Sequence, residues 1–355
     1  MRDAVVSSAI TLALLAGVVA IVLLPITAGL AQPGAAIAEF LFGPFSDLRH
    51  MGNIVETATP LMFTGLAVSL MFRAGMFNLG AEGAFFLGGV AASFAVLRLP
   101  LPGWSLAAAG IAFGALCGSL VCLVPGYLRV RFGASELVSS LMLNYAALYL
   151  GLYVVNYVIR DPQAGAMESF RFPLDARLPR LLAGTHINFG LPLALLACGL
   201  GGVWLFLTRW GFQARVVGAN AGFARHMGMN ITAVAVAVQA LGGIAAAAGG
   251  ACQVLGMFLR FTWQDLPGQG WNGLVVAILA ANNPFLVPPA ALALAWLQTG
   301  GDLLARDFNV PAEAVGLVQA LVILFATARA ITRNPSLLRR LRGGPPSTRT
   351  PQERT

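Results

Sequence analysis

Ten apolar runs, most of them without a single charge, divide this sequence, and they constrain its fold more than any other feature. A helix needs about 20 mostly apolar residues to cross a bilayer. Ala4–Leu30, Trp104–Pro125, Leu137–Ile159, Ile187–Thr208 and Ile231–Leu255 reach that length. Thr57–Phe72, Gly83–Leu97 and Ala314–Ala328 are shorter, and each is closed by an arginine. The uncharged stretch Leu266–Gly301 is broken by Asn282-Asn283-Pro284 and by Pro288-Pro289. It reads as a half-span, Trp271–Ala281, followed by a second span, Phe285–Gly301. The expected fold is all-α and polytopic, with about ten transmembrane helices and a short or broken helix in each half.

Composition agrees with a lipid solvent. Of 355 residues, 58% are hydrophobic and 10% charged, against about 25% charged in soluble domains. The net charge of +8 does not imply nucleic acid, because no aromatic-basic patch or recognition motif accompanies the arginines. With the N-terminus inside and the spans alternating, the inner segments hold Arg2, Arg73, Arg129, Arg131, Arg209, Arg215, Arg225 and the arginines from Arg329 to Arg354. These fourteen arginines face Asp3, Glu136 and Glu353, with Glu82 at the edge of a span. The outer segments hold eight arginines against ten carboxylates. This is the asymmetry expected when cytoplasmic loops collect basic residues. The expected domain is a transmembrane unit over residues 1–332, followed by a disordered basic cytoplasmic tail over 333–355. The uncharged stretch from Ala4 to Ala38 far exceeds a signal-peptide core, so a retained first span is expected. The outer segment Arg160–His186 is expected to form a small cap.

Little here points to catalysis. Cys117, Cys122, Cys198 and Cys252 lie inside apolar runs, where cysteine serves as a small packing residue. His50, His186 and His226 are scattered, so no metal site is expected. No Gly-Lys-Ser/Thr phosphate loop occurs, so the chain is not itself a P-loop ATPase.

Three polar motifs interrupt the apolar background. In Phe77-Asn-Leu-Gly-Ala-Glu-Gly83, Asn78 and Glu82 are four apart and would share one helix face. A carboxylate within a span usually faces the bundle interior or a wet cavity; the alternative sets Glu82 at headgroup level, paired with Arg73. In Gly268-Gln-Gly-Trp-Asn-Gly273, Trp271 and Asn272 open the half-span. Short Gly-interrupted segments in both halves of a transporter point to a midplane site. Trp271 either stacks on a solute or belongs to the interfacial aromatic belt. In Ser135-Glu-Leu-Val-Ser-Ser-Leu-Met-Leu-Asn-Tyr145, Glu136, Ser140 and Asn144 form one helix stripe. That stripe either lines a path or joins helices by hydrogen bonds, and Glu136 suits a helix start.

The connector Arg209–Asn230 is richer than a turn between spans requires. It carries Arg209, Arg215 and Arg225, several glycines and no carboxylate, as expected of a handle for another protein.

Together these motifs resemble permease subunits of ATP-binding cassette importers, in the branch shared by simple-sugar, branched-chain amino acid and nucleoside systems. Arg215–Gly228 is similar to the family's coupling loop, written Val-Gly-x-Asn-x-x-Ala-Ala-Arg-Tyr-Ala-Gly-Ile. Gly218, Asn220, Ala224, Arg225 and Gly228 match; Phe223, His226, Met227 and Met229 depart from it. Phe77–Gly83, Ser135–Tyr145 and Gly270–Leu279 resemble nucleoside-type members most, with Ser135 in place of a leading Asn. The resemblance runs from about Pro60 to Arg329. It implies a bacterial inner-membrane subunit that pairs with a second permease chain, a cytoplasmic ATPase that binds ATP and magnesium, and a periplasmic or lipoprotein solute-binding protein. It further implies that Arg215, Gly218, Asn220, Ala224, Arg225 and Gly228 meet the ATPase, and that Asn78, Glu82, Glu136, Ser140, Asn144, Trp271 and Asn272 line the solute path. The chain itself would carry no cofactor. The rival readings are a transporter driven by an ion gradient, with Glu82 carrying the proton, and a membrane enzyme.

Overall fold

The computed structural model describes residues 32–308 and residues 310, 311, 316 and 320. The expected spans Ala4–Leu30 and Ala314–Ala328 and the tail 333–355 lie outside the described residues. Among residues 32–308, eleven α-helices follow in order: α1 (Pro33–Phe42), α2 (Leu48–Arg73), α3 (Ala81–Arg98), α4 (Trp104–Phe132), α5 (Glu136–Tyr157), α6 (Gly190–Leu207), α7 (Arg209–Ala219), α8 (Ala221–His226), α9 (Ile231–Met257), α10 (Gln269–Leu279) and α11 (Val287–Asp307). Among the described residues, six helices are long and apolar enough to cross a membrane: α2 to α6 and α9. The helices α10 and α11 form a pair bent by 109°. The fold class is therefore the expected all-α polytopic one, with six spans plus this broken pair in the described part.

Helix ends explain where hydropathy misjudged the boundaries. The run expected to stop at Pro125 continues as α4 to Phe132, with Pro125 inside the helix. It ends where Gly133 adopts φ +67° and donates its N–H to the Arg129 carbonyl, a left-handed glycine stop. At its other end, α2 begins nine residues before the expected Thr57 and takes in Arg49, His50 and Glu56. The apolar run marks only the part of that helix that requires lipid or protein around it.

Small residues let the central helices approach closely. Lipid tails are as apolar as leucine, so helix association in a membrane rests on packing and hydrogen bonds rather than on hydrophobic burial. Here α9 lies against both α3 and α4. A Cβ at Gly250 would run into the Phe85 carbonyl of α3, and one at Gly118 of α4 would meet Ala247 and the Ala84 carbonyl. By contrast, Leu116 and Leu120 of α4 and Leu196, Leu200 and Leu207 of α6 are exposed, as a lipid-facing surface should be.

The two ends of the bundle differ. Arg73, Arg129, Arg131, Arg209 and Arg215 sit at one end. The segment 158–189 covers the other and forms the expected cap. Its backbone bonds to the chain leaving α9, through Ser169 N–H to Phe261 O at 3.2 Å and Phe172 N–H to Leu259 O at 2.9 Å. Arg260 pairs there with Glu168 at 3.0 Å and with Asp161 at 3.6 Å. From this capped end residues 258–268 dip into the bundle without forming a helix. Phe261 is fully buried, and Trp263 stacks on Phe85 at 5.6 Å between centroids. Next, α10 packs across α2, where Gly273 lies against Thr64 and Val276 against Gly65. Finally α11 returns to the capped end, where Asp302 and Arg306 share a polar recess with Asn53 and Glu56 of α2.

Candidate functional site

Two helix starts meet inside the bundle. The chain leaving α2 turns at Gly75 and runs without helical structure through Met76–Leu79 before α3 begins. The expected helical pairing of Asn78 with Glu82 is therefore corrected: Asn78 precedes the helix and Glu82 lies in its first turn. The non-helical stretch leaves backbone groups without helical partners, and in a membrane interior these must be satisfied by protein.

Side chains of α5 supply partners for this backbone, and α4 and α9 join through the Asn78 side chain. Asn144 accepts from Gly83 N–H at 3.0 Å and donates to Leu79 O at 3.0 Å. Ser140 accepts from Leu79 N–H at 3.1 Å. Asn78 donates to the Cys122 carbonyl at 2.9 Å and to Gln239, and accepts from Gly80 N–H at 2.7 Å. Glu136 joins the same network. One of its oxygens takes the Arg129 guanidinium and the other the Gln239 amide. All of these side chains except Arg129 are buried. Ser140 and Asn144 thus join α5 to the start of α3, while Glu136, in the first turn of α5, ties it to Arg129 of α4 and Gln239 of α9.

Glu82 binds the other helix start. Its carboxylate accepts from Gly268 N–H at 2.6 Å, from Gly270 N–H, and from Trp271 N–H at 3.3 Å. Its partners are backbone donors rather than Arg73. The first N–H groups of a helix have no intrahelical acceptor, and the helix dipole there favours a negative charge. Gly268, at φ +77°, turns the chain so that these donors converge. The two helix starts nearly touch, since a Cβ at Gly270 would collide with the Glu82 backbone. Next along α10, Trp271 is 45% exposed and Asn272 half-buried. They are the only two of the seven expected path residues that are not buried.

Gln239 was not singled out from sequence. It is fully buried and links Asn78 to Glu136. An amide in the middle of the apolar run Ile231–Leu255, which holds only Gln239 and Gln253 as amides, was the available signal, since such a group needs partners in a membrane. Gln239 lies eight residues into α9, about 12 Å from its start at ~1.5 Å per residue, so the network sits well inside the bundle.

At the arginine-rich end, the connector Arg209–Asn230 is two short helices rather than a loop. Side-chain caps open both of them and α9 after them: Thr208 accepts from Gly211 N–H at 3.1 Å, Asn220 from Phe223 N–H at 3.0 Å and, for α9, Asn230 from Ala233 N–H at 3.0 Å. Three features anchor the connector to the bundle. Gly218 sits so close to Arg73 and Ala74 that a Cβ would clash with them. Ala224 is fully buried. The half-buried Arg215 lies over the Phe206 ring at 5.4 Å, and Arg73 is 5.9 Å from the same ring. Gly228 turns the chain toward α9 at φ +73°. The outer surface carries exposed Asn220 and Arg225, with Phe223 at 55% and Met227 at 62% exposure. The helix pair thus has a buried underside and an exposed surface of mixed polar and apolar side chains.

Known proteins resemble this chain over most of its length. The chain is 33% identical over 82% of its length, and 78% of the relative's, to the glucose ABC transporter permease protein of Haloferax volcanii. It is 30% identical to the guanosine ABC transporter permease protein of Bacillus subtilis, over 81% of this chain and 83% of that one. It is 26% identical to a nucleoside ABC transporter permease protein of Lactococcus lactis, over 82% and 83%. These relatives are transport subunits, not enzymes. The family described as branched-chain amino acid transport system / permease component matches residues 50–327, and this chain belongs to that family.

Proposed function

We propose that the chain forms the translocation path of an ATP-binding cassette importer for a nucleoside or related small polar solute, and that a separate cytoplasmic ATPase drives it through Arg209–Asn230. The observation that carries this reading is the anchoring of that connector. Gly218 and Ala224 fasten it to the bundle, while Asn220, Arg225, Phe223 and Met227 face outward. A push on the exposed side then reaches Arg73 at the end of α2 and, through Gly75, the non-helical segment leading to Asn78.

In this reading Arg215, Gly218, Asn220, Ala224, Arg225 and Gly228 form the ATPase contact and its mounting. Trp271 and Asn272 face the solute. Behind them Asn78, Glu82, Glu136, Ser140 and Asn144 make the polar frame that fixes the two helix starts. The working assembly pairs this chain with a second permease chain in a bacterial inner membrane. A periplasmic or lipid-anchored binding protein delivers solute to the capped end, and ATP and magnesium bind to the ATPase alone.

Guanosine and nucleoside permeases among the relatives support the solute class. The 33% identity to a glucose permease favours a second reading, the same role for a simple sugar. The test is uptake of labelled guanosine and glucose by vesicles holding the complete importer. Arg225→Glu should cut uptake more than about tenfold, the scale of losing a close interfacial charge pair, with the fold intact. Undiminished uptake would remove the connector from the coupling role.

A further inference from the structure

Four of the chain's five tyrosines, Tyr145, Tyr149, Tyr153 and Tyr157, recur every fourth residue along α5. Residues at that spacing share one helix face. All four are exposed, at 57%, 68%, 59% and 77%. They run opposite the buried stripe of Glu136, Ser140 and Asn144. Tyr153 and Tyr157 lie 5.0 Å apart between ring centroids.

A lipid-facing surface does not explain this ladder. The outward faces of α4 and α6 present Leu116, Leu120, Val124, Leu196, Leu200 and Val203. Interfacial tyrosines form belts at the two membrane surfaces. From Tyr145 to Tyr157 the ladder covers about 18 Å at ~1.5 Å per residue, and Tyr145 and Tyr149 straddle the middle of the helix. Hydrocarbon offers no partner for their hydroxyls. Each ring combines a flat apolar face with a polar tip, which suits a wet surface that must stack on a solute without gripping one atom of it.

We propose that Tyr145, Tyr149, Tyr153 and Tyr157 form a water-facing wall of the solute path, completed by the same face of a second copy of the chain, and that their rings receive solutes with a flat ring. This rests on the reading of the chain as an importer's pore subunit. It adds a surface that the seven polar residues chosen from sequence do not include. Both surfaces share one scaffold. Asn144, on the far side of α5, holds Gly83, and the adjacent Glu82 holds the N–H of Trp271.

The experiment places single cysteines at Tyr145, Tyr149 and Tyr153, and at Leu116 and Leu200 as lipid-facing controls. The complete importer in membrane vesicles is treated with a charged, water-soluble thiol reagent, with the native chain as the blank. The ladder positions should react at least about ten times faster than the controls, because the reacting thiolate forms in water. A flat-ringed solute such as guanosine should slow them. In uptake, Tyr149→Ala should raise the apparent KM about tenfold, the scale of one lost aromatic stack. Reaction as slow as at Leu116 and Leu200 overturns the proposal, including the case in which cysteines at 149 cross-link two copies across a dry contact. Uptake by the unaltered importer is measured separately. Failure there counts against the importer reading, whereas the labelling rates still report whether this face meets water.

Discussion

Glu82 accepts a hydrogen bond from the backbone N–H of Gly270, 188 residues later in the chain, and so ties the start of α3 to the start of α10. Both helices begin inside the bundle, after segments that are not helical. A single carboxylate satisfies donors of one and stands in the first turn of the other. Its removal should cost more than an ordinary surface contact. Glu82→Ala leaves three N–H groups without an acceptor and should destabilise the solubilised protein on the order of 3 kcal/mol, since each buried unsatisfied donor costs about 1–3 kcal/mol. Glu82→Gln keeps one acceptor oxygen and should lose roughly half as much. Thermal melts of the two variants test this, and equal melting for Glu82→Ala and the native chain would mean the clasp contributes nothing.

Gln239 tests the network from the other side. Gln239→Leu fits the apolar run but strips a partner from both Asn78 and Glu136. Stability should fall by about 2 kcal/mol or more, because polar groups are left unpaired in a buried site. A double substitution with Asn78→Leu should cost less than the sum of the two single changes, as expected for residues in one network. Additive losses would place the two side chains in separate environments.

Gly218 separates mounting from contact. Gly218→Val would force the connector away from Arg73 and Ala74, so protease sites in residues 209–230 should become accessible while α2 to α6 stay protected. Arg225→Glu changes only an exposed side chain and should leave the protease pattern unchanged. Similar digestion of Gly218→Val and the native chain would refute the close contact.

Asn220 caps α8 through Phe223 N–H. Asn220→Ala should loosen that six-residue helix by about 1 kcal/mol, read as faster amide exchange at residues 221–226. Asn220→Asp, which caps equally well, should restore the slow rate.

Much of this arrangement was legible in the sequence because it rests on local signals. The polar stripe on α5 shows at four-residue spacing, the half-span Trp271–Ala281 is framed by glycines and prolines, and the arginines of the connector stand out against an apolar background. What periodicity does not carry is the non-helical course of residues 76–79 and 258–268. Neighbouring elements impose it: Asn144 and Ser140 hold Leu79, and the segment 158–189 holds Leu259 and Phe261. Asn78 and Glu82 stand at one helix start but not on one helix face, since a turn rather than a helix joins them. Gln239 escaped notice because one amide hardly alters the hydropathy of a long run. The tyrosine ladder was hidden because tyrosine looks like any other large residue until burial shows which side of α5 is covered.

The central claim is that the connector Arg209–Asn230 is the surface a separate ATPase holds. Its most direct test is a photo-cross-linker placed at Phe223 in the complete, transport-active importer, with a second placed at Gln163 in the capped end. The account predicts a cross-link from position 223 to the ATPase that changes in yield between nucleotide-free and ATP-bound states, and none from position 163. Full transport activity without a cross-link from 223, or labelling of 223 by a reagent confined to the outside of intact cells, would contradict it.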